Sequence, residues 1–594
     1  MFEIHYNPDS DRIIIRGESA IELLKGRPGT TLSVILEFRS EGNNQLWAPS
    51  ENRPGAKIAD TIRALESAEI INQLTSNAKE VLEEYIAYLR AFRSSSLIGR
   101  EIHTNPPTTI NIPPSFKRDL KPFQIPSVSH LAEMANAANF SVPGSGKTTM
   151  VLAAYGILKE KKEVSKLVVI CPRSAFEPWT EEYYGCFGLN PVCLRIAGPP
   201  QERSKLLANA EIYELFLCTY QMLANEIDAI SRILRKFKCL LVLDEAHHIK
   251  RGEGGVWYDA VIEIAPLARR RIILTGTPAP NQLDDLLPQF EALWPDLNPA
   301  RRAMDLFGLN NRIEDFREAL SPYYMRIRKD ELELPRRRVV RIPVRLGEVQ
   351  QRIYDILCHR ILPQTLSKLE ERTLVRDLRK ALVVRLLQAA SNPTLLTEYS
   401  QEFRTPPLSA AGVDLDQLIQ NYSMYEKPQK LQVAASLAVH LGLEGRKSII
   451  WTSFVHNADL LYREVSNSGT EAVLVTGSTA KDESIENNRD ALLHQFKTNP
   501  SIKVLVATIP SIAESVSLHR ECHDAIYVDR TFNCGLYMQS MDRIHRIGLP
   551  PNADVRYHLI LGSGTLDEIV DSRLSYKMEI MHRVLNDDIG ENSE

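Results

Sequence analysis

From residue 116 onward, short apolar runs alternate with stretches whose apolar positions recur at helical spacing. The runs LVVICP (167–172), LFLCTY (215–220), CLLVLDE (239–245) and RIILTG (271–276) are nearly continuous in Val, Ile and Leu. Strands buried on both faces carry this signature, whereas strands with one wet face alternate. A second series begins near Lys430: SIIWTSF (448–454), AVLVTG (472–477), KVLVAT (503–508), AIYVDR (525–530) and VRYHLIL (555–561). Strand–helix alternation, twice over, predicts two open parallel sheets covered by helices. Their similar size predicts two lobes around a cleft.

The pattern before residue 116 differs. FEIHYNPDSDRIIIRG (2–17) reads as two strands around a turn, and 56–68 and 71–92 read as amphipathic helices. TNPPTTINIPP (104–114) is a proline-rich connector. Between the two series, LPRRRVVRIPVRL (334–346) reads as a basic connector, 347–396 as a helical run, and 405–426 as a polar, flexible insertion. The expected divisions are an N-terminal accessory α+β domain at 1–103, a linker at 104–115, a first lobe at 116–333, a helical bridge with insertion at 334–429, a second lobe at 430–563, and a C-terminal brace at 564–594.

Two strand ends carry chemistry. Residues 142–149 read VPGSGKTT. The glycines of Gly144-Ser145-Gly146-Lys147-Thr148-Thr149 let backbone N–H groups approach phosphates, and the following helix aims its N-terminal dipole at the same anion. Lys147 is expected to reach the β- and γ-phosphates and Thr148 to ligate Mg²⁺. Residues 241–250 read LVLDEAHHIK, an apolar strand ending in Asp244 and Glu245. Asp244 is expected to hold the metal and Glu245 to polarise the attacking water. Ser141 stands where the strict loop pattern has glycine. In MQSMDRIHRIG (538–548), Arg543 and Arg546 lie three apart, on one face if this segment is helical. From a second lobe, two guanidiniums could stabilise charge on a transferring phosphoryl group; taken alone, the segment reads first as a solvated basic helix.

In order along the chain, these motifs resemble the Swi/Snf family of superfamily-two helicase-like ATPases. LKPFQ (120–124) is similar to the family's adenine-reading glutamine motif, PRSAFEPWTEE (172–182) to the segment after its first sheet strand, and DEAHHIK to its acidic box. LTGTPAPNQLDDLLPQFEALWP (274–295) resembles its coupling motif, SPYYMRIRKDELELP (321–335) and RLLQAASNP (385–393) its bridge, QSMDRIHRIG its final arginine motif, and GTLDEIVDSRLSYK (564–577) its C-terminal brace. The resemblance spans 116–584. It implies two RecA-like lobes with an ATP and DNA cleft between them, Gln124 on adenine, ATP and Mg²⁺ as cofactors, and coupling through Thr275 and Thr277. It also implies double-stranded DNA as partner, held at the phosphate backbone by Arg173, Thr219 and Tyr220 in the first lobe and Ser453, Thr476 and Thr508 in the second. The sequence departs from the family before the phosphate loop, where Ser141-Val142-Pro143 replaces Asp-Glu-Met. It departs again in PSIAESVSL (510–518), where Glu514 and Ser515 replace glycines, and at Leu549, where glutamine is frequent.

Composition narrows the readings. A net charge of −4 excludes a strongly basic nucleic-acid-coating protein, so any DNA contact comes from a local groove. No apolar run reaches membrane-spanning length, the start MFEIHYNPDSDRIII has no signal-peptide pattern, and the 8 cysteines form no CxxC pair. These features predict a reducing compartment and no membrane: the cytoplasm of a bacterium or phage-infected cell, near the nucleoid. The favoured expectation is a DNA-dependent ATPase that translocates on duplex DNA. A strand-separating DNA or RNA helicase and a nucleic-acid-binding scaffold with a vestigial ATPase are the alternatives. The N-terminal domain could dock a protein partner, recognise a DNA structure or brace the first lobe.

Overall fold

The computed structural model describes residues 2–25, 28–50, 53–249, 252–279, 283–310, 312–332, 334–358, 383–397, 413–477, 479, 488–512, 516–550 and 552–584. Two compact units divide the chain, Met1–Arg100 and Glu101–Glu594.

The first unit is built on a five-stranded sheet: β1 (Phe2–Asn7), β2 (Arg12–Arg16), β3 (Arg39–Ser40), β4 (Gln45–Pro49) and β5 (Asn72–Leu74), in the order β3-β4-β2-β1-β5. β1 and β2 pair antiparallel around the expected turn, and β5 joins β1 in parallel. Ile4, Ile13, Ile15, Leu46 and Ala48 alternate onto one face and pack against Ile58, Ala64 and Leu65 of the helix Pro54–Ser67. The segment expected as one helix from 71 to 92 is instead β5 followed by the helix Ser76–Thr104. Three residues of extended chain close this small sheet's edge, which the helical period of the following stretch conceals.

The second unit holds two wholly parallel sheets. In the first lobe, β6 (Asn136–Asn139), β7 (Lys166–Ile170), β8 (Cys193–Arg195), β9 (Leu215–Cys218), β10 (Cys239–Asp244), β11 (Arg270–Leu274) and β12 (Tyr324–Met325) run β12-β6-β11-β10-β7-β9-β8. In the second, β13 (Arg337–Val344), β14 (Lys447–Thr452), β15 (Ala472–Val475), β16 (Val504–Thr508), β17 (Cys522–Tyr527) and β18 (Val555–Gly562) run β13-β18-β17-β14-β16-β15. All their pairings are parallel. Helices such as Gln429–Leu443 and Val455–Asn467 cover the second sheet with Ala434, Ala438, Leu461 and Val465. Together the two sheets make the expected α/β architecture.

Two expectations are corrected. The basic connector at 334–346 contains β13, an edge strand in register with β18 from Arg337↔Val555 to Val344↔Gly562. Its arginines are tolerated because an edge strand leaves most side chains exposed. Of the expected insertion, 413–426 is ordered as the helices Val413–Gln420 and Tyr422–Tyr425, with Leu415, Ile419 and Tyr422 packed on Ile353 and Tyr354. Residues 405–412, much of the helical run (359–382) and the non-glycine positions Glu514 and Ser515 lie outside the described residues. Among the described residues no helix is long and apolar enough to cross a membrane.

Candidate nucleotide site between two parallel sheets

The phosphate loop follows β6, a strand of small and polar residues. Asn139 Oδ1 accepts the backbone N–H of Ser141, and Ser141 Oγ accepts that of Ile327, at 2.9 Å each. Gly144 and Gly146 have φ of 84° and 85°, the left-handed region in which a side chain would be strained. Gly146 caps the helix Lys147–Glu160. Ser145 Oγ is buried with no hydrogen-bond partner among the described residues. Lys147 Nζ donates to Ser141 O at 3.0 Å. Burial lowers the Lys147 pKa; Glu245, Asp244 and Asp542 oppose this, and Arg546 adds to it.

Two assigned loop residues have other partners. Thr149 is buried and its hydroxyl donates to Glu182. Gln124 is buried beside the loop, where its Nε2 donates to Ser145 O and its Oε1 accepts from Lys121 N, both at 2.9 Å. Thr148 is half-buried in the helix's first turn.

The acidic pair closes β10. Asp244 Oδ2 accepts from Trp179 Nε1 at 2.9 Å, and Asp244 Oδ1 accepts the Glu245 N–H at 3.0 Å. Glu245 takes a φ of 52°, an uncommon left-handed conformation for a residue with a side chain. Burial first, and Glu245 second, push Asp244 up to about 6. Glu245 is held below the usual carboxylate range because His247 and Lys147 outweigh its burial. His247 Nδ1 lies 3.3 Å from Glu245 Oε2 and 3.1 Å from Thr275 Oγ1, which also accepts the Thr277 N–H at 3.1 Å. A Cβ on Gly276 would stand 2.6 Å from Pro143 Cδ, so the coupling segment abuts the phosphate loop.

The second lobe completes the constellation. A Cβ on Gly144 would meet Arg546 Cβ at 2.9 Å, which places Arg546 directly on the phosphate loop. Arg546 Nη1 donates to Ser517 Oγ at 2.5 Å. Burial, then Arg543, lowers the Arg546 pKa to about 10. Asp542, 2% exposed, pairs with Lys329 from the tail of the first lobe, and His545 Nε2 lies 2.8 Å from Pro335 O. The expected helix stops early: it spans Cys534–Met541, so Arg543 and Arg546 lie in the turn beyond it. Arg543 has different partners from Arg546. Its Nε donates to Gln539 O at 2.9 Å and its Nη1 to Val516 O at 3.0 Å, both in its own lobe. These two bonds hold Arg543 within the second lobe.

Among the six residues expected on DNA, Arg173 alone is exposed, at the start of the turn after β7. Half-buried Thr219 accepts the Met222 N–H at 3.1 Å and caps the helix Tyr220–Asn225. Tyr220 is buried and its hydroxyl donates to Asp244 O at 2.9 Å. Ser453, Thr476 and Thr508 are also buried. Strand ends that pack into the lobe do not present these four side chains to a phosphate backbone, which corrects that expectation. Trp179, His247, Lys329 and Asp542 are side chains in contact with the candidate site or between the lobes that the sequence did not single out. Each lies inside a quoted motif, but only the folded contacts single it out.

A glycine phosphate loop, an acidic strand end and an arginine from a second parallel sheet define a two-lobe P-loop nucleotide-binding protein. Residues 140–394 match the SNF2-related domain and residues 429–548 the helicase conserved C-terminal domain. The chain belongs to the Swi/Snf family of helicase-like, nucleotide-binding proteins. It is 24% identical over 486 residues to the chromodomain-helicase-DNA-binding protein 1-like of Mus musculus, covering 78% of this chain and 50% of that one. The DNA annealing helicase and endonuclease ZRANB3 of Homo sapiens is 24% identical over 452 residues, 75% of this chain and 38% of its own. An uncharacterised ATP-dependent helicase of Mycoplasma genitalium is 24% identical over 454 residues, 75% of this chain and 40% of its own. The chain thus spans half or less of the length of these relatives. The Sulfolobus solfataricus SWI2/SNF2 ATPase core in complex with dsDNA matches at a TM-score of 0.37 and 23% identity, over 81% of this chain and 96% of that one.

Proposed function

We propose that the protein hydrolyses ATP and couples the hydrolysis to movement along double-stranded DNA. The observation that carries this reading is Arg546 of the second lobe seated against Gly144 of the first, beside Lys147. An arginine delivered across a cleft acts only when the lobes close, so it ties phosphoryl transfer to lobe motion.

Each residue then has a task. Backbone N–H groups around Gly144 and Gly146 cradle the phosphates, and Lys147 leaves Ser141 O to hold the β- and γ-phosphates. Gln124 keeps one amide hydrogen for adenine while it supports the loop. Glu245 orients water, and Arg546 meets the charge that develops on the transferring group. Thr148 and Asp244 fit a magnesium ion, which would neutralise phosphate charge. The buried Asp244, with its raised pKa, is the kind of oxygen that a cation relieves. His247 joins Glu245 to Thr275 and so carries the state of the water site to the coupling segment. Exposed Arg173 contributes to duplex phosphate contact in the first lobe. A place in the nucleoid-bearing cytoplasm accompanies this reading, as does a bacterial or phage setting. Docking of a protein partner on the N-terminal unit is a further option; its sheet face favours nucleic acid instead.

The test is a triplex-displacement assay run beside a forked-duplex unwinding assay, each with ATP and with a non-hydrolysable analogue. Expected are DNA-stimulated hydrolysis, stronger with duplex DNA than with RNA, and displacement of the third strand without unwinding of the duplex. Efficient unwinding without displacement would establish the strand-separating helicase. Absence of hydrolysis with every nucleic acid would leave the scaffold.

A further inference from the structure

The N-terminal sheet has one face buried by the helix Pro54–Ser67 and its opposite face built of other residues. Pairing fixes which these are. Arg12 is opposite Asn7 and Pro49, Ile14 opposite His5 and Trp47, and Arg16 opposite Glu3 and Gln45; Trp47 in turn is opposite Arg39. Directly opposed residues share a face, so Arg12, Arg16, Arg39, His5 and Trp47 stand together. Arg12 Cζ lies 3.9 Å from the centroid of the Trp47 ring, and Arg39 Cζ 5.7 Å from it. Arg16 Nε donates to Gln45 Oε1 at 3.1 Å. Arg16 and Arg39 are exposed, and none of these arginines makes an ion pair with a described residue. The acids on this side are Glu3, across from Arg16, and Glu41, which accepts from Gln45 Nε2 at 2.6 Å.

We infer that this face is a binding surface for single-stranded nucleic acid, with phosphates on Arg12, Arg16 and Arg39 and a base against Trp47. Guanidiniums without carboxylate partners keep their donors for an anion, and Arg is suited to bidentate phosphate contact. An indole beside them offers a π-face that any unpaired base can use. Arg12 lies close to the ring, at 3.9 Å from its centroid, while exposed Arg39 stands farther off at 5.7 Å and can yield to a base. A duplex hides its base faces, so Trp47 selects for a single strand. This site is separate from the nucleotide cleft and does not depend on the proposed motor activity.

The experiment uses the full chain with fluorescence anisotropy of a labelled oligo(dT) of about 15 nucleotides. Unlabelled duplex is present in excess to occupy the motor. A parallel arm uses oligo(rU), and binding of either sugar by this face supports the assignment. The paired substitution Arg16→Glu with Arg39→Glu should weaken binding about tenfold or more and flatten the slope of log K against log salt by about 1.4, for two phosphates lost. Trp47→Leu should weaken it about tenfold at unchanged slope. Arg16→Lys with Arg39→Lys should retain most of the binding. Duplex-stimulated ATP hydrolysis should be unaffected in all of these. The inference is overturned if wild type fails to bind under excess duplex, or if the glutamate and leucine variants bind as wild type does. It is also overturned if the lysine pair loses binding as fully as the glutamate pair, or if the variants lose duplex binding instead. Absence of duplex-stimulated hydrolysis in wild type would count against the motor alone; oligonucleotide binding would still decide this site.

Discussion

Replacing Lys329 by methionine should slow turnover without emptying the nucleotide site. Lys329 lies in the tail of the first lobe and Asp542 in the turn that carries Arg546, so their ion pair bridges the lobes. Asp542 is 2% exposed and the Lys329 side chain 24%. Removing one partner of a fully buried pair costs about 3–5 kcal/mol, because the other charge is stranded. Two features reduce that figure here. Lys329 is partly solvated, and Lys147 and Arg546 also lie within electrostatic reach of Asp542. A cost of about 1–2 kcal/mol remains, and only the closed state bears it.

At about 1.4 kcal/mol per factor of ten, the closed population and the turnover should fall about 5- to 30-fold. Binding of a fluorescent ATP analogue to the phosphate loop should change little, since Lys329 pairs with Asp542 of the second lobe. The assay pairs steady-state hydrolysis with energy transfer between dyes on the two lobes. Lys329→Arg should preserve most of the turnover. If Lys329→Met turned over like wild type with unaltered closure, the pair would be no latch. A lowered melting temperature with normal energy transfer would assign it to stability instead.

Lys147→Ala should abolish hydrolysis by removing the phosphate-holding charge, read as phosphate release; Glu245→Gln should retain ATP and stall, read as a nucleotide-bound complex on gel filtration. Near-normal turnover of Glu245→Gln would overturn the role given to that carboxylate. Arg546→Ala should cut turnover by about 10³ with ATP affinity nearly intact, by analogy with other arginine fingers, whereas Arg543→Lys should alter melting more than turnover. Burial lowers His130, His519 and His545 from 6.5 to about 4. Their neutral forms belong to the fold, and the unfolded chain takes up the protons first. Stability from these residues is thus present above pH 6.5 and lost as pH falls toward 4, by up to about 1.4 kcal/mol per residue per pH unit. Thermal melting across that window should show the decline, and His130→Gln should make it shallower; a pH-independent melt would refute this.

Central strands were legible because burial on both faces demands continuous Val, Ile and Leu, as in β7, β9, β10 and β16. β6 was not, since Asn136-Ala137-Ala138-Asn139 lacks that composition. Its asparagines instead organise the backbone: Asn136 Oδ1 accepts the Arg271 N–H and Asn139 Oδ1 that of Ser141. β13 was hidden by arginines that only an edge strand can carry. Within the site, Lys147 and the Asp244–Glu245 pair were legible because spacing and residue type suffice for a phosphate loop and an acidic strand end. Arg543 and Arg546 could not be told apart from spacing, because a turn, not a helix, sets their directions. Tyr220 looked like a strand-end contact, yet its hydroxyl serves the backbone of Asp244.

The closed site contains an electrostatic conflict that gives nucleotide a reason to control it. Lys147 and Arg546 both have their proton affinity lowered first by burial, and Arg546 adds to the lowering of Lys147 while Arg543 adds to that of Arg546. Asp244, Glu245 and Asp542 offset part of this, but Asp244 is itself driven toward neutrality by burial and its neighbour. On the proposed reading, a polyphosphate between Lys147 and Arg546 would supply the missing negative charge, and a cation held by Asp244 would balance the acidic side. A ligand shifts an equilibrium only by its differential affinity for the two states. Here the difference arises because the open first lobe offers the phosphates Lys147 alone and the closed pair offers Arg546 as well. On this reading, loss of the γ-phosphate would remove the charge that both cations share, so opening would follow from the same contacts that drive closure, and lobe motion would be tied to phosphate charge through two side chains and one loop.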